Sequence, residues 1–153
     1  MVGTLSCRAA AMNFLAQREH SQYELNQKLE RKGFSAQERT DALLSLQNQR
    51  LQSDERFSEG YARYRATRGY GPLRIKQELQ QRGVKEELIQ QAIQQFSNQE
   101  WRAIARRVYH KRFAKEAGDI DFKQRAAQTR FLLYRGFSGE MVREVMHLKE
   151  YNP

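Results

Sequence analysis

With a single cysteine, Cys7, in 153 residues, the chain has no means of forming an intrachain disulfide, and a reducing compartment is expected. Only two prolines interrupt it, leaving room for long helices. No window approaches the run of about 18 apolar residues that a membrane-spanning helix needs. Met1–Ala11 lacks the charged start and long apolar centre of a secretory signal, so the cytoplasm is the expected location. The three histidines, His20, His110 and His147, are scattered, with no cysteine or paired carboxylate at ligand spacing; neither a metal nor another cofactor is expected. Phosphate-binding Gly-x-x-x-x-Gly-Lys-(Ser/Thr) and nucleophile-bearing Gly-x-Ser-x-Gly patterns are both missing. The paired carboxylates Asp54/Glu55 and Glu86/Glu87 fall at predicted helix starts, where the helix dipole accounts for them without catalysis. A non-enzymatic protein is expected.

What is abundant is positive charge. There are 27 Lys and Arg against 18 Asp and Glu, a net charge of +9. A polyanionic partner follows as the natural expectation, nucleic acid ahead of anionic lipid, although extra basic residues on a solvated surface give the same composition. Hydrophobic residues make up 39% and charged residues 29%, which favours a high-surface architecture over one deep core.

Self-comparison organises the chain. Leu29, Leu79 and Leu132 each stand four residues before Gly33, Gly83 and Gly136. A basic residue (Lys32, Arg82, Arg135) precedes each of these glycines and an apolar one (Phe34, Val84, Phe137) follows it. The physical reading is a helix with a cation near its negative end, a glycine in the left-handed conformation beyond the C-cap, and an apolar residue packing back. Ser21 with Glu24, and Ser35 with Glu38, have the Ser-x-x-Glu spacing of a capping box. In the second repeat Gly71–Pro72 stands where Ser21–Gln22 stands in the first, with proline at the first helical residue.

A longer helix precedes each pair. One runs from about Leu5 to Glu19, with Ala11, Phe14 and Leu15 on one face. Another follows Ser53 as cap, its apolar stripe being Phe57, Tyr61 and Tyr64. The last begins near Asn98, with Trp101, Ile104, Ala105 and Val108 at helical spacing. An irregular loop is expected over residues 116–121. No stretch alternates apolar and polar residues with β-branched enrichment, so no sheet is expected. The expected fold is all-α: three tandem three-helix repeats, spanning 1–50, 51–97 and 98–153, stacked as one continuous, elongated and curved array.

These repeats resemble the RecX family over nearly the whole chain. The most specific stretch runs from Gly69 to Val84 and reproduces the family's Gly-x-Gly-Pro-x-Arg-Ile-x-x-Glu-Leu-x-x-(Arg/Lys)-Gly-(Ile/Val) core. Ser53–Asp54–Glu55–Arg56–Phe57, the helix opening from Ser21 to Leu29, and the stretch from Arg130 to Phe137 support it in the right order. One position departs: Arg50 stands where the family usually has a glycine, which bears on the turn between the first two repeats. The resemblance implies a cytoplasmic regulator that binds the RecA recombinase on DNA and suppresses its ATP hydrolysis, strand exchange and co-protease activity. Some members of the family also bind DNA directly.

Charge distribution nominates the contact residues. Residues 101–153 carry 12 basic and 6 acidic side chains, against 7 and 5 in residues 1–50 and 8 and 7 in residues 51–100. Arg102, Arg106, Arg107, Lys111, Arg112 and Lys115 share one predicted helix with no acid among them. Arg102 and Arg106 flank one side of its apolar stripe, Arg107 and Lys111 the other. They suit DNA phosphates or an acidic RecA surface; the alternative is a solvated face of snorkelling arginines. A second set comprises Arg63, Arg65, Arg68, Arg74 and Lys76 around Tyr70, an aromatic suited to stacking on an exposed base. Its structural alternative is Tyr70 packed across a helix junction, with Arg74 paired to Glu78 at i,i+4. Gly33, Gly71, Pro72, Gly83 and Gly136 read as turn residues, and Tyr61 and Tyr64 as core. The expected partners are the RecA filament and single-stranded or duplex DNA, with no membrane and a monomeric chain. The competing reading is a stand-alone DNA-binding protein, since helix–Arg–Gly–Val–helix units loosely resemble helix-turn-helix junctions. A nuclease or other hydrolase is a third, without a visible metal or nucleophile.

Overall fold

A computed structural model describes residues 5–116 and 118–150. Residues 1–4 and 151–153, and Ala117 of the expected irregular segment, lie outside the described residues. Nine helices and no strand occur among the described residues: α1 (Cys7–Gln17), α2 (Gln22–Arg31), α3 (Ala36–Asn48), α4 (Asp54–Thr67), α5 (Pro72–Gln81), α6 (Glu86–Ile93), α7 (Asn98–Phe113), α8 (Phe122–Tyr134) and α9 (Gly139–Glu150). All-α architecture in helical triplets is therefore what the sequence folds into.

Local chemistry sets these boundaries. Ser21 and Ser35 form full capping boxes with Glu24 and Glu38. Two further boxes, Ser97 with Glu100 and Asp121 with Gln124, open α7 and α8. Ser53 Oγ accepts from the Arg56 amide at 3.1 Å, as its position before Asp54 suggests. Each cap satisfies amides that the first helical turn leaves without a partner.

The repeated glycines behave alike. Gly33, Gly83 and Gly136 have φ of +94°, +74° and +100°. Directly after them, the amides of Phe34, Val84 and Phe137 donate to the carbonyls of Leu29, Leu79 and Leu132 at 3.1 to 3.3 Å, the Schellman closure of a helix. Arg50 makes the same turn without a glycine. It is the one non-glycine with positive φ among the described residues, at +59°, and the Leu51 amide donates to the Leu46 carbonyl at 2.9 Å. The departure seen in sequence thus leaves the turn intact and adds backbone strain.

The chain packs as two compact units. One holds the residues up to Gly60 together with Leu79–Ala92; the other holds Tyr61–Glu78 and the residues from Ile93 onward. In the first, α1, α2 and α3 enclose Cys7, Ala10, Ala11, Leu29, Ala42 and Leu46. Its buried polar groups are matched. Gln52 donates to the His20 carbonyl (3.2 Å) and to Asp54 (2.9 Å), and Asp54 also accepts from the Gln22 amide (2.9 Å). Asp54 therefore caps α2 as well as sitting in the positive first turn of α4.

In the second unit, α7, α8 and α9 close over Ala105, Tyr109, Leu132, Phe137, Val142, Val145 and Met146. Buried Gln128 accepts from the Tyr109 hydroxyl at 2.7 Å and donates to Glu116 at 2.6 Å. Trp101 is buried, with its indole N–H donating to the Ile93 carbonyl at 3.2 Å.

One joint recurs, once in each unit. In the first, the head of α2 meets the turn after α5: Ser21 Oγ donates to the Arg82 carbonyl at 2.8 Å, and a Cβ on Gly83 would lie 2.6 Å from the Tyr23 Cβ. In the second, the head of α5 meets the turn after α8. The Gly71 amide donates to the Arg135 carbonyl (2.7 Å) and the Leu73 amide to the Gly136 carbonyl (3.0 Å). Amides left free by one helix start thereby satisfy carbonyls left free by another helix end.

Candidate nucleic-acid interface

All twelve residues nominated as contacts lie in the second unit. The joint between α5 and α8 brings three of them together. Tyr70 is half-buried, and the guanidinium carbons of Arg65, Arg135 and Arg74 lie 3.8, 4.7 and 4.9 Å from its ring centroid. Glu78 takes both nitrogens of the Arg65 fork at 2.9 Å, and lies 3.9 Å from Arg74. Burial works against the Arg65 charge, but the Glu78 hydrogen bonds outweigh it and hold the guanidinium above its ordinary pKa. The i,i+4 pair read from sequence is thus the longer of two contacts, and the main partner of Glu78 comes from α4.

Three guanidinium groups surround the Tyr70 ring and Glu78 pairs with two of them, leaving an excess of positive charge at a fixed place. Arg135 Nη1 also donates to the Arg68 carbonyl at 3.1 Å, and Arg74 Nη1 to the Tyr134 carbonyl at 3.2 Å. Both arginines therefore close helix ends as well as lining the ring. Around them stand exposed apolar groups: Tyr134 is 71% exposed, with Arg74 4.6 Å from its ring centroid, and Leu73 is 52% exposed. Tyr64 is 56% exposed, with Arg68 5.2 Å from its ring. The expectation that Tyr64 belongs to the core is corrected: it lies on the solvent side of α4, while Ala62 and Ala66 take the buried positions. Arg63 stands apart, hydrogen-bonded to Gln95 at 2.9 Å, and Lys76 is half-buried.

Along α7 the cations divide, and the expectation that Lys115 shares this helix is corrected: α7 ends at Phe113 and Lys115 lies in the turn beyond it. Arg102 does not point free into solvent, because Glu144 on α9 holds its guanidinium at 2.5 Å. Arg112 lies 5.6 Å from the Phe131 ring. Arg107, Lys111 and Lys115 are exposed and Arg106 half-buried, and none of the four forms an ion pair among the described residues. Arg107 rims a cavity of about 350 Å³ with Thr67, Phe96 and Ile104.

Sequence reasoning passed over Arg135 and Tyr134. Arg135 looked like one more helix-ending cation, equivalent to Lys32 and Arg82. The signal lay one position earlier: Tyr134 replaces Arg31 and Gln81 of the other repeats, so an aromatic occupies a position that is polar elsewhere. No cluster of three or more His, Cys, Asp or Glu able to hold a metal occurs among the described residues. Nor is any described helix long and apolar enough to cross a membrane.

Fold and site together define a protein of tandem three-helix units with a cationic, aromatic-lined face. Comparison with known proteins specifies it further. Family models for the first, second and third three-helix domains of RecX match residues 7–46, 53–93 and 99–146. Regulatory protein RecX of Legionella pneumophila is 41% identical over 136 residues, covering 89% of each chain. Regulatory protein RecX of Pseudomonas entomophila is 41% identical over 138 residues, covering 90% of this chain and 88% of its own. The crystal structure of RecX from Lactobacillus salivarius superposes with a TM-score of 0.84 at 18% identity, over 95% of this chain and 96% of that one. The chain belongs to the RecX family of regulatory proteins.

Proposed function

We propose that the chain binds the RecA–DNA filament and restrains RecA's ATP hydrolysis, strand exchange and co-protease activity, acting by docking rather than by chemistry. In this reading the repeats 1–50, 51–97 and 98–153 work as one continuous monomeric module in the cytoplasm. The observation that carries it is the arginine group around Tyr70, where Glu78 pairs with Arg65 and, at longer range, Arg74, while Arg135 lies on the ring, beside the exposed ring of Tyr134. A guanidinium excess favours phosphate oxygens, and a neighbouring exposed aromatic favours an unpaired base. Arg106, Arg107 and Lys111 on α7, with Lys115 just beyond its end, add to the same charge. Tyr70, encircled by guanidinium groups, organises the arginines, and stacking falls to Tyr134 and Tyr64.

The test is RecA's single-stranded-DNA-dependent ATPase with increasing amounts of the protein. Hydrolysis is expected to fall at substoichiometric ratios; no change at saturation would refute the proposal. DNA affinity measured without RecA separates a direct contact from one made only in the filament. Replacing Arg106, Arg107, Lys111 and Lys115 together by alanine is expected to flatten the salt dependence of single-strand binding, by about 0.7 in log–log slope per lost phosphate contact. Sequence-selective retention on duplex DNA in the absence of RecA would favour the stand-alone DNA-binding reading instead.

A further inference from the structure

The three arginines around Tyr70 are not equivalent. Arg65 is committed to Glu78: its Nε and Nη2 donate to the two carboxylate oxygens, both at 2.9 Å, and its guanidinium carbon is 3.8 Å from the ring centroid. Arg135 is fixed by three contacts. Its Nη1 donates to the Arg68 carbonyl at 3.1 Å, and its guanidinium carbon lies 4.7 Å from the Tyr70 centroid and 5.1 Å from that of Phe131. Arg74 is held least. Its Nη1 donates to the Tyr134 carbonyl at 3.2 Å, and its Nε stands 3.9 Å from Glu78, beyond hydrogen-bond length. Its Nη2 has no polar partner among the described residues. The same guanidinium lies over both the Tyr70 ring and the exposed Tyr134 ring, 4.9 and 4.6 Å from their centroids.

We propose that Arg74 is the arginine that takes a phosphate of single-stranded nucleic acid, with an adjoining base on Tyr134, and that Glu78 is a resident competitor for it. The assignment rests on the reading of this face as a nucleic-acid contact and divides the roles within it. A phosphate reaching Nε and Nη2 of Arg74 makes the two-pronged contact that Glu78 already makes with Arg65. Nε is also the Arg74 nitrogen paired with Glu78, so ligand and carboxylate compete for one edge of the guanidinium. Arg65 and Arg135 are positioning residues: the first anchors Glu78, and the second fixes the Tyr70 ring against the end of α8. Arg74 covers one face of the Tyr134 ring, and a base stacks on the other. Bases stacked inside a duplex do not reach that face, which makes an unpaired strand the ligand.

The experiment uses the full chain and a fluorescein-labelled oligothymidylate of about 15 nucleotides, followed by anisotropy over a range of salt concentrations. Arg74→Gln is expected to weaken binding about tenfold and to lower the log–log salt slope by about 0.7, the value of one phosphate contact. Glu78→Gln keeps a carbonyl oxygen for Arg65 and removes the competing charge. It is expected to tighten binding about three- to fivefold, the size of a partly exposed ion pair. In the Arg74→Gln background the same change should give less than about twofold, because no Arg74 charge is left to compete for. Trp101 fluorescence in urea verifies folding. Arg74 also closes the end of α8, so Glu78→Gln decides the matter if Arg74→Gln does not fold. Weaker or unchanged binding by Glu78→Gln, an equal gain in both backgrounds, or an unchanged salt slope in Arg74→Gln would overturn the assignment. So would an equal gain on a blunt duplex, which makes the site a general phosphate contact, or a wild type that does not bind the single strand. RecA ATPase measured alongside separates the two readings. If the wild type still suppresses hydrolysis while these tests fail, only the Arg74 assignment falls; if it does not, the filament reading falls.

Discussion

Gly71→Ala puts the inter-helix joint under a defined load. Gly71 does not have a positive φ; the constraint is space. A Cβ there would stand 2.5 Å from the Gly136 carbonyl oxygen, 2.6 Å from its carbon and 2.8 Å from Phe137 Cδ1. Two of the three are backbone atoms, so no side-chain rotation relieves the clash. Separation of the two segments would lengthen the bonds from the Gly71 and Leu73 amides to the Arg135 and Gly136 carbonyls. Overpacking costs about 1–3 kcal/mol, and two weakened hydrogen bonds about 1 kcal/mol each. The lower unfolded-state entropy of alanine offsets about 0.5 kcal/mol, giving a net loss of about 3 kcal/mol. With a urea slope of about 2 kcal/mol per molar, the midpoint should fall by roughly 1.5 M. Trp101, the single tryptophan, is buried in the same unit, so its fluorescence follows this transition directly. Gly33→Ala is the control. Gly33 has φ of +94° but nothing within 4 Å of an added Cβ. Only left-handed strain of about 1 kcal/mol applies there, read by circular dichroism. If the two variants lose equal stability, or Gly71→Ala shifts the midpoint by less than a few tenths molar, the joint is not a close backbone contact.

Arg50→Gly should act in the opposite direction. Relief of left-handed strain, less the extra freedom of glycine in the unfolded chain, leaves a gain of about 0.5–1 kcal/mol in urea titration by circular dichroism; unchanged stability would mean that Arg50 carries no strain. His20 makes stability depend on pH. Burial pushes its pKa below the ordinary value, while Nδ1 faces the Arg18 carbonyl at 3.0 Å and Nε2 the Lys28 ammonium at 2.8 Å. The folded form therefore binds fewer protons than the unfolded one, and stability present above about pH 6.5 should be lost as pH falls from there toward the folded value. Urea titrations at stepped pH, with the imidazole followed by NMR, check the sign; a folded pKa above the ordinary value would refute it. Tyr134→Gln, which installs the residue of the second repeat, should change stability by less than about 1 kcal/mol because only an exposed ring beside Arg74 is removed. The same variant should weaken single-stranded DNA binding about tenfold if the ring stacks on a base, and not at all if it does not.

Helix termini were legible in the sequence wherever the cap is chemical and local. Ser21, Ser35 and Ser53 announce their helices through hydroxyl acceptors at fixed spacing from the amides they cap, and the glycine turns announce the ends. Ser97 and Asp121 carry the same information in less conspicuous settings. The contacts of Arg102 and Tyr70 could not be read that way. Arg102 pairs with Glu144, 42 positions away, and a helical wheel for α7 has no knowledge of α9. Arg135 reaches the Tyr70 ring only because two backbone segments distant in sequence approach closely enough to exchange hydrogen bonds. Periodicity reports which face of a helix is buried; it does not report which helix buries it. Tyr64 shows the same limit, since alanines one turn apart are apolar enough to make a buried face and leave the larger ring outside.

The two copies of the joint separate what the fold needs from what it does not. At the head of α2, Ser21 secures the turn after α5 with a neutral hydroxyl. At the head of α5 the backbone amides of Gly71 and Leu73 make the equivalent attachment, and Arg74 and Arg135 add hydrogen bonds to the Tyr134 and Arg68 carbonyls. Yet three arginines converge there on one tyrosine and one glutamate, and mutual repulsion among guanidinium groups must be offset by ring contacts and by Glu78. Tyr134 buries little surface and lies where the other repeats place Arg31 and Gln81. The first joint is closed through the neutral Ser21 hydroxyl, so turn closure by itself does not call for the excess charge at the second. A phosphate bound at this position would remove the repulsion and a base would cover the ring, so the same ligand resolves both features.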